Sequence, residues 1–396
     1  MLKAWLSKAT ALFFILGFVF IPLTFYGWDG QYLLSRWLFA RPIGFMQNHF
    51  FAGAIKALDL SSDTIGLNLL LCFLLMMAFA VVFLIEIFKV KSTKLVGFCK
   101  SVSVYYLAAV LLKYGFDKIF KLQFYLPEPN ILYSRFGDMH KDILFWSTMG
   151  LSHTYSVVTG CVEVLAALLI LYGRTRVFGF CLAVVVLLNV LLTNISFDIS
   201  VKTFTTFLLA VAAFNLYPYL KSIYSFFVLR KQSQLEIVKP TSRAKWVNAV
   251  LSIALVVYAL FPYLASGNFN DDHSPRPFLH GAYTITHFKA GADTLKPVNF
   301  PYKRFFIHRN NYLIFEQQDD SMRDYHFMLD EIKKQLVLED YQNHKITVNY
   351  NYIEQTGRLE LKFDNYAQWV VDGKVLDWRA LPALQDEVHG TVDGER

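Results

Sequence analysis

The chain has 396 residues, of which 55% are hydrophobic and only 17% charged, with 37 Phe and 22 Tyr. Soluble domains usually carry about a quarter charged residues, so the deficit excludes an ordinary soluble globule and points to lipid. The formal charge is +7, yet residues 267–396 hold 15 basic against 20 acidic side chains. The positive excess therefore sits in the hydrophobic two-thirds, where it orients a membrane protein, and nucleic-acid binding is excluded as its explanation. Cys72, Cys99, Cys161 and Cys181 all lie in or beside apolar segments without a C-x-x-C, which argues against a disulfide framework.

Taken in chain order, apolar runs long enough to span a bilayer fall at roughly 9–26, 67–88, 101–119, 155–172, 177–193, 204–219 and 246–265. The first is followed by Gly27-Trp28-Asp29, an interfacial signature and not a signal-peptide cleavage site. Basic residues mark alternate ends: Lys3/Lys8, Lys89/Lys91/Lys94/Lys100, Arg174/Arg176 and Arg230/Lys231/Arg243/Lys245. The positive-inside rule then puts the N-terminus in the cytoplasm and, after seven crossings, the region after the last span outside. Two long segments face that outer side. Residues 30–63 contain the amphipathic Trp37-Leu38-Phe39-Ala40, and residues 121–150 carry Pro127-Glu128-Pro129 and read as a re-entrant or interfacial excursion.

After Gly267 the pattern alternates. Strands are expected at 280–286, 304–307, 312–315, 345–350 and 358–363, while Met328 to Glu339 fits either a helix or a pair of strands. The expected fold is thus a polytopic α-helical membrane protein of about seven transmembrane helices with a C-terminal, mainly-β soluble domain, a small barrel or a sandwich. The residues from Asp386 onward read as a frayed tail.

Charges inside the spans are the most informative feature. Glu163 lies mid-span, where an ionised carboxylate costs at least about 2.5–3.5 kcal/mol unless paired, protonated or hydrated. Ser156, Thr159, Gly160, Ala166 and Ala167 share its helix face, so that face points into the bundle. Depth alone selects Lys113 of the third span as its partner. Asp117, Lys118, Asn189, Asp198 and Lys202 bring further polar groups toward the outer half of the bundle. Together these residues form the candidate polar pocket. Two readings stand side by side: a cavity for a quinone head group, proton relay or small polar ligand, or internal ion pairs that fix helix register. His49, His140 and His153 match no metal-ligand spacing, Cys161 reads as a buried small hydrophobe, and no hydrolase or NTPase motif occurs.

Several segments resemble the bacterial DoxX-like membrane proteins (DoxX/DoxD superfamily) over roughly residues 100–220: Lys113-Tyr114-Gly115-Phe116-Asp117-Lys118 through Phe124, Met149-Gly150-Leu151-Ser152, Gly160-x-x-Glu163 running into Gly173-Arg174-Thr175-Arg176, and Asn194-x-x-x-Asp198-x-x-x-Lys202. The resemblance implies a four-helix transmembrane core lined by Glu163, Lys118, Asp198 and Lys202, and links with quinone-coupled sulfur or thiol oxidation. Layout alone also resembles the vitamin K-dependent carboxylase relatives. The division expected is 1–98, an N-terminal transmembrane hairpin; 99–222, the DoxX-like core; 223–266, a cytoplasmic loop and last span; and 267–396, a periplasmic β-rich domain. Functionally the sequence leaves open a non-enzymatic assembly or binding factor, whose β domain meets a periplasmic or membrane protein, and a quinone-linked oxidoreductase subunit.

Overall fold

The computed structural model describes residues 2–23, 29–50, 59–90, 92, 94–232, 242–290, 293–295, 301–364 and 369–385. The Gly27-Trp28 signature and the tail from Asp386 lie outside them. The chain forms two compact units, one of residues 1–123 and 154–270, the other of residues 124–153 and 271–396.

In hydrocarbon every backbone N–H and C=O must find its partner within the segment, so long apolar runs become helices. The helices are α1 (Leu2–Phe20), α2 (Gly30–Phe50), α3 (Ile65–Ile87), α4 (Leu95–Ile119), α5 (Pro129–Leu132), α6 (Lys141–Leu151), α7 (His153–Leu171), α8 (Arg176–Ser196), α9 (Lys202–Leu216), α10 (Leu220–Phe227) and α11 (Ser242–Ser266). Among the described residues seven helices are long and apolar enough to cross a membrane: α1, α3, α4, α7, α8, α9 running on into α10, and α11. The amphipathic stretch after the first span is one continuous helix, α2. Its buried residues Ser35, Phe39, Ile43 and Gln47 recur every fourth position, while Leu33, Trp37 and Phe45 face outward. Ser35 Oγ donates to the Phe20 carbonyl at 2.7 Å and Gln31 Nε2 to the Phe18 carbonyl at 2.9 Å. These bonds satisfy carbonyls that the end of α1 leaves without helical partners.

The second unit is built on β1 (Gly281–Ala290), β2 (Asp293–Leu295), β3 (Tyr302–His308), β4 (Tyr312–Gln317), β5 (Met322–Asp330), β6 (Gln335–Glu339), β7 (Lys345–Ile353), β8 (Arg358–Phe363) and β9 (Trp369–Leu376). Strands β3 to β9 run as an antiparallel meander, and β9 pairs back onto β1, closing an eight-stranded barrel; β2 adds only to the far end of β1. Of the two β architectures left open by the sequence, the barrel is therefore the one formed. The ambiguous stretch 328–339 is the β5–β6 hairpin. Alternation sends Tyr283, Phe305, Phe315, Phe327, Leu361 and Val371 into a filled interior. Tyr283 and Phe305 stack there with centroids 4.9 Å apart. A Cβ on Gly373 of β9 would sit 2.4 Å from the Phe305 ring, so only glycine fits beside that stack.

Outward-facing Ala282, Phe306 and Ile314, on the neighbouring strands β1, β3 and β4, make a second apolar cluster. Leu126, Leu132 and Tyr133 cover it from one side and Trp378, Leu381 and Leu384 from another. Residues 124–153, which take in most of the stretch 121–150 expected as a re-entrant or interfacial excursion, belong to the barrel's unit, and Leu126, Leu132 and Tyr133 among them strap its outer wall. Replacing Gly373 by Val is expected to destabilise this unit by about 1–3 kcal/mol through overpacking. Gly137→Val, whose added Cβ meets nothing within 4 Å, serves as the unaffected control in pulse proteolysis of the full chain across a urea series.

Candidate functional site

The polar centre of the helical unit is assembled where α4 meets α7. An ideal Cβ on Gly160 would lie 2.5 Å from the Gly115 carbonyl oxygen, so the two backbones touch as only small residues permit. Ser156 Oγ then donates to the Lys118 carbonyl at 2.8 Å. In this register Lys118 Nζ reaches both carboxylate oxygens of Glu163 at 2.9 Å, and the side chains are 8% and 6% exposed.

Lys118, and not Lys113, is therefore the partner of Glu163. Depth had selected Lys113, but azimuth decides: at 3.6 residues per turn, positions five apart point about 140° away from each other. Lys113 instead donates to Asp117 Oδ2 at 2.8 Å, and the Tyr263 hydroxyl of α11 donates to Asp117 Oδ1 at 2.6 Å. The Tyr114 ring stands between the two ion pairs, 4.6 Å from Lys113 Nζ and 5.9 Å from Lys118 Nζ. A continuous polar stripe thus links α7, α4 and α11.

The remaining candidates lie in other arrangements. Lys202, first residue of α9, donates to Asp198 Oδ1 at 2.8 Å and lies 3.6 Å from Asp63. Asp63 in turn accepts the backbone N–H groups of Lys202 and Thr203 at 3.0 and 2.7 Å, capping α9. Burial pulls the Asp63 carboxyl upward, but those backbone donors outweigh it and hold the group below its ordinary value. Asn189 sits on an exposed flank of α8; Asn194, buried, is the residue of that helix that bonds across, donating to Thr205 Oγ1 at 3.0 Å. Cys161 is exposed and not buried, because two residues of helix turn it about 200° from Glu163. A groove of about 380 Å³ between α1, α3 and α9 takes in Lys202.

A polar network in the second unit was not anticipated. Glu128, set between two prolines at the head of the strap, is 4% exposed and accepts from His280 Nε2 at 2.7 Å. Arg309 approaches the same carboxylate through Nε at 3.3 Å, lies 3.8 Å over the Tyr125 ring, and binds Asp271 at 2.5 Å. Asp271 also meets Arg276, and the Leu126 N–H donates to Asp272 at 2.8 Å. Burial raises the Glu128 carboxyl, yet His280, His308 and Arg309 together bring it below its ordinary value. Burial lowers the His308 imidazole, with Glu128 opposing and Arg309 adding to the effect. The sequence signal was a glutamate locked between two prolines in a long apolar-flanked loop; its partners lie about 150 residues or more away.

No family model matches the chain, and no solved structure matches it. The uncharacterized protein YwoB of Bacillus subtilis (strain 168) is similar to it, at 30% identity over 91 residues, which make up 21% of this chain and 59% of that protein. The chain therefore spans less than two-thirds of that relative's length.

Two outcomes follow from these geometries. Lys118→Met or Glu163→Leu alone leaves a buried charge unpaired and is expected to cost about 3–5 kcal/mol, whereas the double variant recovers most of it. A double-mutant cycle on thermal unfolding in detergent measures that coupling. Glu128 and His308 both bind protons less readily folded than unfolded. The barrel unit is therefore expected to lose stability as pH falls, from 6.5 for His308 and again from 4.5 for Glu128. Limited proteolysis between pH 7.5 and 3 checks this, with His308→Gln removing the upper limb and Glu128→Gln the lower.

Proposed function

We propose that the chain is a bacterial inner-membrane factor of the binding or assembly type, anchored by its helical unit and acting through its barrel in the periplasm. The observation that carries this reading is the pairing of Lys118 with Glu163 between α4 and α7, together with Asp117, which is bonded by Lys113 on its own helix and by Tyr263 of α11; these contacts commit the charges to ordering the helices. The barrel interior is filled by side chains, so its outer surface is the face offered to other molecules. There Ile332, in the β5–β6 turn, is 96% exposed and Tyr341, in the β6–β7 turn, 83%. The alternating basic loops support a cytoplasmic N-terminus and a periplasmic barrel after seven crossings. The resemblance over residues 100–220 supports a DoxX-like four-helix core carrying Lys118, Glu163, Asp198 and Lys202.

A photoreactive residue at position 332 or 341 of the full chain, activated in native membranes, is expected to yield a discrete protein adduct that copurifies stoichiometrically. No adduct at either position, together with a quinone that copurifies with wild type and is lost in Glu163→Gln, would replace this reading with a quinone-linked oxidoreductase subunit.

A further inference from the structure

The groove between α1, α3 and α9 is independent of any partner of the barrel. We propose that it holds one zwitterionic aminophospholipid, its headgroup on Lys202 and Asp198 and an acyl chain laid along α9.

The groove is graded along its length. At its mouth are the Lys202 ammonium and Thr203; Thr206 follows one turn on, and Ala210 lies at its far end. Residues 203, 206 and 210 share one face of the helix, and the eight residues from Lys202 to Ala210 advance about 12 Å from the end of the span toward its middle. Phe13 of α1 and Leu71 of α3 form the facing walls. Phe207 makes a fixed floor, 5% exposed and set edge-on to Phe13 and Phe14 at 6.0 and 5.7 Å. Charge at one end, hydroxyls next and hydrocarbon beyond is the polarity profile of a single phospholipid molecule.

The charges select the headgroup. Lys202 Nζ and Asp198 Oδ1 lie 2.8 Å apart, the lysine side chain 33% exposed and the aspartate 86%. A phosphate set on Lys202 brings the amine of the same headgroup beside the outward face of Asp198. A purely anionic lipid would meet two carboxylates, Asp63 and Asp198, around one ammonium, and is disfavoured.

Native mass spectrometry of the full chain in detergent, supplied with equal phosphatidylethanolamine and phosphatidylglycerol, tests the assignment. Retention of one phosphatidylethanolamine at several-fold preference is expected. Asp198→Asn is expected to bring that preference to parity or reverse it, and Ala210→Trp, which fills the groove, to remove the retained lipid. Equal retention of both lipids by wild type, or an unaltered preference in Asp198→Asn, overturns the proposal. Asp198 lies on the surface, so its variant remains informative even if Ala210→Trp fails to fold.

Discussion

Hydrocarbon supplies no water to a charge, so Lys118 and Glu163 can be carried across a membrane only as each other's solvent. That constraint orders its surroundings. The pair closes only if α4 and α7 approach to backbone contact, and glycine at positions 115 and 160 allows it. The same approach lets Ser156 reach the Lys118 carbonyl. A slip of one residue along either helix would turn an ion away from its counter-ion, so the pair acts as a register pin more than as a source of net stability. Tyr263 carries the ordering onward by bonding Asp117, which draws the last helix into the same polar stripe.

The barrel answers a different constraint. A sheet in water must dispose of its edges, and pairing β9 with β1 removes them from the main wall. Closure leaves an apolar patch on the outside, over Ala282, Phe306 and Ile314, which the strap and the segment at 378–384 cover. The strap is then held by polar anchors at its head, where Glu128 meets His280 and Arg309. Hydrophobic cover by Leu126, Leu132 and Tyr133 and the buried ion pairs of Glu128 act within one short segment, which fixes the docking in both position and direction.

Much of this was legible in sequence because periodicity reports burial. The spans, the change to alternation after Gly267 and the inward face of α7 all follow from spacing alone. Strand β9 was not among the strands expected from alternation, and it carries the turn-favouring dipeptide Asp372-Gly373. The structure shows why the pair sits mid-strand: Gly373 clears the Tyr283–Phe305 stack, and Asp372 is bound by Arg358 at 2.7 Å. Depth along α4 points to Lys113 as the partner of Glu163, whereas rotation about the helix axis brings Lys118 there instead. The flanking prolines mark Glu128 locally, but its partners were beyond reach, since nothing local points to a histidine 152 positions away.

That separation bears on how the molecule is made. The strap emerges from the ribosome before α7, while the strands it covers follow only after four more apolar segments have been threaded into the bilayer. Until β1, β3 and β4 arrive, Leu126, Leu132 and Tyr133 have no wall to lie on and Glu128 has neither His280 nor Arg309. The earliest segment of the second unit is thus its last to be satisfied. Completion of the barrel is thereby tied to the insertion of the whole chain, and a polypeptide arrested before α11 would present an unpaired carboxylate and bare apolar side chains to whatever surveys unfinished membrane proteins.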